Sequence, residues 1–282
     1  MIQPELKAYR RCSDRHVLVL ETNLTYVEKC QIFHYADLVR KAGNELTGIM
    51  KKRYDQLVRT KRYRKLKSLY KKYKDADNKK ALKDVCDQMK EMQKQYDVTW
   101  DYCRTSMIPI GKKYGIDAVF ALTKAEDVFR GIEKCLYSDG ETVHFKKRGD
   151  LPCIRAKQIN RGIIMKQMNF KFKNIEFGVN IKDRYEQEEV DAILYYLKHA
   201  EFMDSIAANT YKETDICVST YRPCYVSLVC KKIRGKLRVY VHITIEGLSK
   251  PKQDRFGNMK HNKGKGIVGC DIGTQTIAYT TE

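Results

Sequence analysis

The chain has 282 residues, of which 43% are hydrophobic, and its 55 lysines and arginines outnumber its 35 aspartates and glutamates to give a formal net charge of +20. The hydrophobic content suffices for folded cores, and the length predicts about two domains, which argues against disorder for most of the chain. The excess of positive charge predicts a polyanion as partner, and nucleic acid is the natural candidate.

The sequence shows no targeting or membrane signal. Its first residues lack the apolar core of a signal peptide, and no run reaches the roughly 18 apolar residues that a membrane-spanning helix requires. We therefore expect a cytoplasmic protein with no membrane partner. The ten cysteines should stay reduced in that compartment. The closest set, Cys217, Cys224 and Cys230, has spacings that do not suit a zinc site.

A short strand and a long helical region open the chain. Residues 17–20 are β-prone, and we assign residues 1–26 to the first strand or strands of a β domain. Apolar residues then recur at spacings of three and four, which predicts a helical bundle over residues 27–137. Pro109 and Gly111 predict a break within this bundle.

The stretch from residue 51 to residue 74 has the highest density of positive charge, with Asp55 as its single acid. Apolar residues recur through it at helical spacing, so it predicts one amphipathic helix, or two, with a cationic outer face. A solvated surface helix is the ordinary interpretation, but unbalanced charge of this density repels itself unless phosphates neutralise it. We therefore assign nucleic-acid binding to Lys51, Lys52, Arg53, Arg59, Lys61, Arg62, Tyr63, Arg64, Lys65, Lys67, Lys71 and Lys72.

Three tyrosines of this stretch are candidates for stacking on unpaired bases. Tyr70 and Tyr73 are assigned to helix packing, which is the more common role of aromatic residues at such spacing. Tyr63 lies between Arg62 and Arg64, so it is the preferred stacking residue.

Residues 138–247 are predicted to form β structure, beginning with a turn at residues 138–140. The β-prone residues 142–145 lead into a second basic segment. We assign further nucleic-acid contacts there to Lys146, Lys147, Arg148, Arg155, Lys157 and Arg161. Apolar alternation changes parity near Asn174, which predicts a turn or bulge, and one helix is inserted near residues 186–204. The last two strands should form a hairpin around Arg234 and Gly235, with one packed face and one open face.

The final part of the sequence predicts a basic linker and a strand pair. Residues 248–266 contain Pro251 and three glycines but no apolar periodicity, as is typical of a flexible linker. Residues 267–282 predict a buried strand, a tight turn and a returning strand, with Asp271 where the first strand ends. A carboxylate in that position is held rigidly and can still reach a substrate or a metal ion.

The sequence Val268-Gly-Cys-Asp271-Ile-Gly273, followed by Thr276-Ile-Ala278, resembles the first nuclease motif of the transposon-encoded TnpB (OrfB) family and its miniature type V CRISPR relatives. In that family G-[IV]-D-x-G opens an RNase H-like RuvC domain. The resemblance implies that Asp271 is a catalytic residue and the first ligand of Mg²⁺. The order of strand, helical insert, β region, basic linker and D-x-G strand also resembles the N-terminal half of such a protein.

The resemblance implies an α+β fold, in which a split β-barrel-like wedge domain holds an inserted helical recognition domain and precedes the first strand of a RuvC-like domain. It also implies binding of a guide RNA and target DNA, no small-molecule substrate, and association with a prokaryotic nucleoid. The family's zinc element and its other carboxylates belong downstream of these 282 residues. One aspartate cannot hold paired metal ions, so we expect no DNA cleavage by this chain.

Two other functions are compatible with the sequence. A stand-alone RNA- or DNA-binding protein derived from such a nuclease would act by occupancy and bind in the same way. Asp271-Ile-Gly-Thr274 also fits the phosphate-binding turn of actin-like ATPases, which usually carry it near the start of their domain. The long basic sequence before the motif favours the nuclease family.

Overall fold

The computed structural model describes residues 15–138, 140–150, 153–209, 222–246, 268–272 and 277–281. The helices in these residues are α1 (Tyr26–Arg59), α2 (Lys61–Asp75), α3 (Lys79–Gln95), α4 (Trp100–Lys113), α5 (Ala118–Tyr137) and α6 (Arg184–Asn209). The strands are β1 (Arg15–Thr22), β2 (Ile154–Arg155), β3 (Ile163–Lys166), β4 (Asn169–Phe172), β5 (Ile175–Phe177), β6 (Val179–Asn180), β7 (Arg222–Ile233), β8 (Lys236–Glu246), β9 (Val268–Ile272) and β10 (Ile277–Thr281). This combination of helices with antiparallel sheets confirms the α+β expectation.

A single residue, Thr60, separates the first two helices. α1 begins with a capping box, in which Thr25 and Glu28 each accept a hydrogen bond from the other's backbone N–H. Thr60 has an extended backbone, so α1 ends before it and α2 begins after it. Its hydroxyl donates to Leu57 O (2.7 Å) and accepts from the Tyr63 N–H (3.3 Å). The cationic stretch therefore forms two helices, which is one of the two predicted alternatives.

The predicted break at Pro109 and Gly111 is wrong, because α4 continues through both residues. Proline has no N–H, so the carbonyl of Thr105 lacks its usual partner in the helix. Thr105 and Pro109 are both exposed, so this side of the helix faces solvent. Gly111 permits close helix packing, since a Cβ atom there would lie 3.3 Å from the Cβ atom of Ala121 on α5. The turn after α4 instead contains Gly115, whose φ of +63° is the left-handed conformation common after helix ends.

Strands from distant parts of the sequence meet in one sheet. The five-stranded antiparallel sheet has the order β2-β7-β8-β1-β6. β1 pairs with β8, from Arg15 opposite Glu246 to Glu21 opposite Tyr240. The helices α1 to α5 therefore form an insertion in the sequence between β1 and β2, two strands of this sheet.

The strands β7 and β8 form the predicted hairpin around Arg234 and Gly235. Both turn residues have positive φ, +48° and +79°, as a two-residue hairpin turn requires. The fully buried residues of β8 are Val239, Val241, Ile243 and Ile245. The other face is not fully open, because Thr244 is 6% exposed and Arg238 forms an ion pair with Glu21 (2.5 Å). The prediction of an open face is therefore wrong at Thr244.

Residues 140–150 form a segment without helix or strand, which we call the strap, and the strand predicted at residues 142–145 is not present. The Asn44 side chain on α1 accepts from the Lys146 N–H and donates to Lys146 O, both at 2.9 Å. A side chain thus takes the backbone hydrogen bonds that a neighbouring strand would otherwise provide. The strap is fixed to α1 in this way.

Two other local predictions are confirmed. The turn near Asn174 lies between β4 and β5, where Lys173 has a φ of +53° and Phe172 pairs with Ile175. The helix predicted near residues 186–204 is α6, which is longer than predicted at both ends.

Phe120 on α5 joins the helices to the three-stranded sheet of β3, β4 and β5. It is 2% exposed, and its ring centre lies 5.9 Å from that of Tyr35 on α1 and 5.6 Å from that of Phe172 on β4. Gly162, just before β3, covers the same ring, and a Cβ atom there would lie 2.7 Å from it. Three elements therefore pack around one side chain.

We expect Phe120→Ala to lower the free energy of unfolding by about 3–5 kcal/mol, because it leaves a cavity among aromatic rings. Phe145→Ala is the matched control, since Phe145 is 51% exposed and its truncation should cost less than about 1 kcal/mol. Urea unfolding followed by circular dichroism measures both variants. Equal losses would contradict the packing described for Phe120.

Candidate nucleic-acid interface

α2 separates its apolar and charged residues onto two faces. Tyr63 and Leu66 are buried, and Leu69, Tyr70 and Tyr73 are partly buried against the other helices. The exposed cations of α2 are Lys61, Arg62, Arg64, Lys65, Lys71, Lys72 and Lys74, which we call the cationic face. A helix of 15 residues extends for about 22 Å.

No ion pair joins the cationic face to a carboxylate among the described residues. On the preceding helix, Lys51 pairs with Asp55 (3.2 Å) and Arg53 pairs with Asp97 (3.6 Å). Lysines of α3 also pair with acids of their own helix. The charges of α2 are therefore less neutralised than those of its neighbours, and a phosphate backbone would neutralise them.

A groove of about 720 Å³ lies between α2 and the end of α5. Its lining includes Arg64, Lys67, Tyr70, Lys71, Lys72, Lys74 and Tyr137. The two tyrosine ring centres are 5.8 Å apart, and the Lys74 ammonium lies 6.0 Å from the centre of the Tyr70 ring. The Lys67 ammonium donates to Cys135 O (2.8 Å) and so satisfies a carbonyl in the last turn of α5. The groove thus combines aromatic rings with cationic side chains.

The assignment of Tyr63 as the stacking residue is wrong, because Tyr63 is fully buried. Burial also raises the pKa of its phenol above the usual range. The arginines beside Tyr63 do not indicate which face of the helix it occupies, whereas its spacing from Leu66 and Tyr70 does.

Tyr70 is the α2 tyrosine that lines the groove. Tyr137 also lines it but was not predicted, because no cluster of basic residues surrounds Tyr137 in the sequence.

The predicted nucleic-acid-binding residues outside α2 are of two kinds, exposed cations and cations in ion pairs. The exposed members outside α2 are Lys52, Arg59, Lys146, Lys147, Arg148 and Arg161. Arg155 forms an ion pair with Asp127 (2.9 Å), and Lys157 pairs with Glu126. Both acids lie on α5, so these pairs attach the segment around β2 to the helices and leave less charge for phosphate.

Asp271 lies in β9, where it pairs across the antiparallel ladder with Ala278 of β10. The predicted pair of strands is confirmed, while the turn at residues 273–276 and the linker predicted at residues 248–266 lie outside the described residues. The structure describes only the backbone of β9 and β10. Mg²⁺ requires an octahedral set of oxygen ligands, and Asp271 supplies one carboxylate, so this residue alone does not form a metal site. Its catalytic role stays a prediction.

Among the side chains that the structure describes, no three His, Cys, Asp or Glu residues are arranged to hold a metal ion. The described helices include none that is both long and apolar enough to cross a membrane.

Comparison with known proteins assigns no family to this chain. No model of a protein family matches the sequence. A search of curated proteins likewise finds no significant match.

Tyr63→Phe should leave the free energy of unfolding unchanged or raise it by up to about 1 kcal/mol. The Tyr63 hydroxyl is buried beside Gln93, which bonds to Tyr137, and it has no hydrogen bond of its own among the described residues. Tyr54→Phe is the control, because the Tyr54 hydroxyl donates to Cys135 O (3.3 Å) and its loss should cost about 1 kcal/mol. Urea unfolding compares the two variants. A loss of RNA affinity in Tyr63→Phe would contradict the buried position.

Proposed function

We propose that this protein binds structured RNA through the cationic face and the groove between α2 and α5. The observation that carries this proposal is the row of α2 cations without ion-pair partners among the described residues, next to two tyrosine rings. Lysine and arginine side chains that contact phosphates provide most of the affinity in such interfaces. The net charge of +20 supports the same class of partner.

Structured RNA fits the groove better than duplex DNA because of its aromatic rings. Bases within a duplex are stacked on each other, whereas loops and bulges of RNA present unpaired bases to aromatic side chains. Tyr70 is partly exposed, and Arg64 and Lys74 line the same groove. In the proposed complex, a base stacks on Tyr70 and the adjoining phosphates contact these two cations.

We propose further that this RNA is a guide, and that the chain belongs to an RNA-guided DNA endonuclease of the TnpB type. The motif around Asp271 supports this proposal. The insertion of α1 to α5 between β1 and β2, two strands of one sheet, supports it too, because a wedge domain split by a recognition domain has that topology. In the proposed enzyme Asp271 is one Mg²⁺ ligand, and bound Mg²⁺ supplies activation of water and stabilisation of the leaving oxygen.

Removal of three positive charges from the cationic face should weaken RNA binding at least tenfold at about 0.1 M salt. The variant replaces Lys65, Lys71 and Lys72 by Gln, and the control of equal net charge replaces Lys79, Lys80 and Lys83 of α3 by Gln. The plot of log affinity against log salt should become shallower by about 2–3 only in the α2 variant, because each phosphate contact contributes roughly 0.7–0.9.

Fluorescence anisotropy with a labelled hairpin RNA across a salt series measures these slopes. If both triple variants lost the same affinity, general charge attraction would explain the binding and the proposed interface would be incorrect.

The 282-residue chain should show no Mg²⁺-dependent cleavage of DNA, with or without RNA, because one aspartate cannot hold paired ions. Gel analysis of labelled DNA after incubation with the purified protein measures this. Cleavage that Asp271→Ala abolishes would contradict the prediction. An open reading frame past codon 282 that supplies further carboxylates would support the endonuclease, and a stop codon there would support a protein that acts by occupancy.

A further inference from the structure

A second cavity, of about 900 Å³, lies between α1, α5 and the strap. It is separate from the groove beside α2. The strap covers one side of it and is fixed there by the two hydrogen bonds between Asn44 and Lys146. A volume of this size is typical of small-molecule sites in proteins.

Lys124 of α5 extends into this cavity from its buried side. The residue is 9% exposed. Its aliphatic chain crosses α1 at Gly43, where a Cβ atom would lie only 2.3 Å from the Lys124 Cε. Gly43 therefore makes room for the lysine. No described residue forms a hydrogen bond or an ion pair with the Lys124 ammonium, which lines the cavity.

Among the described residues, no carboxylate that lines the same cavity forms an ion pair with Lys124. Asp127 is held by Arg155 at 2.9 Å, and Asp150 accepts a hydrogen bond from a backbone N–H of the strap at 3.3 Å. Glu141 is exposed on the strap. A buried cation without a counter-ion is unfavourable, so an anion that entered the cavity would be attracted to it.

Burial is the main cause that lowers the pKa of Lys124, and the negative charge of Asp127 is the largest effect in the opposite direction. The positive charges of Lys146 and Arg155 add to the lowering. Lys134 and Lys146 are exposed at the rim of the cavity. Lys124 from the buried side and two lysines from the rim can donate to several oxygens of one phosphate group, while Asp127 and Asp150 in the same lining are bonded to Arg155 and to the strap backbone.

We infer that this cavity is a phosphate-binding site, with Lys124 as its buried contact. The phosphate belongs either to the terminus of a nucleic-acid strand or to a free phosphate or small phosphate ester. This site goes beyond the proposed function, because it uses none of the residues of the cationic face. It also gives Gly43 a role, since a larger residue there would displace the lysine.

Isothermal titration calorimetry with inorganic phosphate tests the site. Lys124→Met replaces the aliphatic part of the side chain by one of similar length and removes the ammonium, and it should lose at least tenfold in phosphate affinity. Gly43→Ala should also weaken binding, because its Cβ atom displaces the Lys124 Cε. The control Lys83→Met removes an exposed lysine of α3 and should bind phosphate as the unmodified protein does.

A pair of short oligonucleotides, identical except for a 5′-phosphate or a 5′-hydroxyl, distinguishes the two sources of phosphate. Tighter binding of the phosphorylated strand that Lys124→Met abolishes would identify a strand terminus. Lys124-dependent binding of inorganic phosphate, without that difference, would identify a free phosphate ligand. The inference is overturned if Lys124→Met binds both probes as the unmodified protein does, or if neither probe binds.

Gly43→Ala tests the same site if Lys124→Met does not fold. The triple variant of Lys65, Lys71 and Lys72 should keep its phosphate affinity, so failure of the RNA interface can be distinguished from failure of this site.

Discussion

The antiparallel pairing of β1 with β8 determines how the rest of the chain is arranged. A buried hydrogen bond from the Thr22 hydroxyl to Val239 O, 2.9 Å long, spans 217 residues of sequence at this junction. After β1 the chain leaves the sheet to form α1 to α5, and it returns to the sheet at β2, β6 and β7 before β8. Helices and the β7-β8 hairpin form from local contacts, whereas this pairing closes a long loop and is completed only when the insertion is in place.

The positive charges of the described residues include those that form ion pairs within the fold and those of the cationic face, which do not. In the sheet, Glu21 accepts hydrogen bonds from Lys182 (2.6 Å) and Arg238 (2.5 Å), which lower the pKa of its carboxyl group, the bond from Lys182 most strongly. Those cations connect β1 to its neighbours. On the cationic face no described acid forms such pairs, so these cations can bind a polyanion without loss of contacts that stabilise the fold.

Local patterns predicted those parts of the fold that depend on local contacts. Strict alternation and a turn-forming Arg234-Gly235 pair were enough to predict the β7-β8 hairpin. The change of parity near Asn174 marked a different turn, the one between β4 and β5. The helix break predicted at Pro109 and Gly111 is absent because the effect of each residue depends on its surroundings. Pro109 faces solvent, and Gly111 packs against Ala121.

The candidate site was predicted in its charge but not in its shape. The density of lysine and arginine predicted the position of the cationic face. Charges next to Tyr63 wrongly favoured that residue, whereas helical spacing indicates that Tyr70 lies nearer the exposed face. Tyr137 and Lys124 come from a different helix, and only tertiary packing brings them to the groove and the cavity. The strap shows the same limit, because its partner is the Asn44 side chain rather than a strand.

The junction at Thr60 affects how the cationic face meets a ligand. One residue joins α1 to α2, and its hydroxyl bonds to both helices. With no flexible linker between them, α2 cannot reorient without loss of these bonds. The cations are therefore displayed on a preorganised scaffold, and most of the entropy of ordering this helix is lost during folding rather than during binding. In the proposed RNA complex, a row of charges on a fixed helix would favour polyanions whose phosphates match its spacing and curvature.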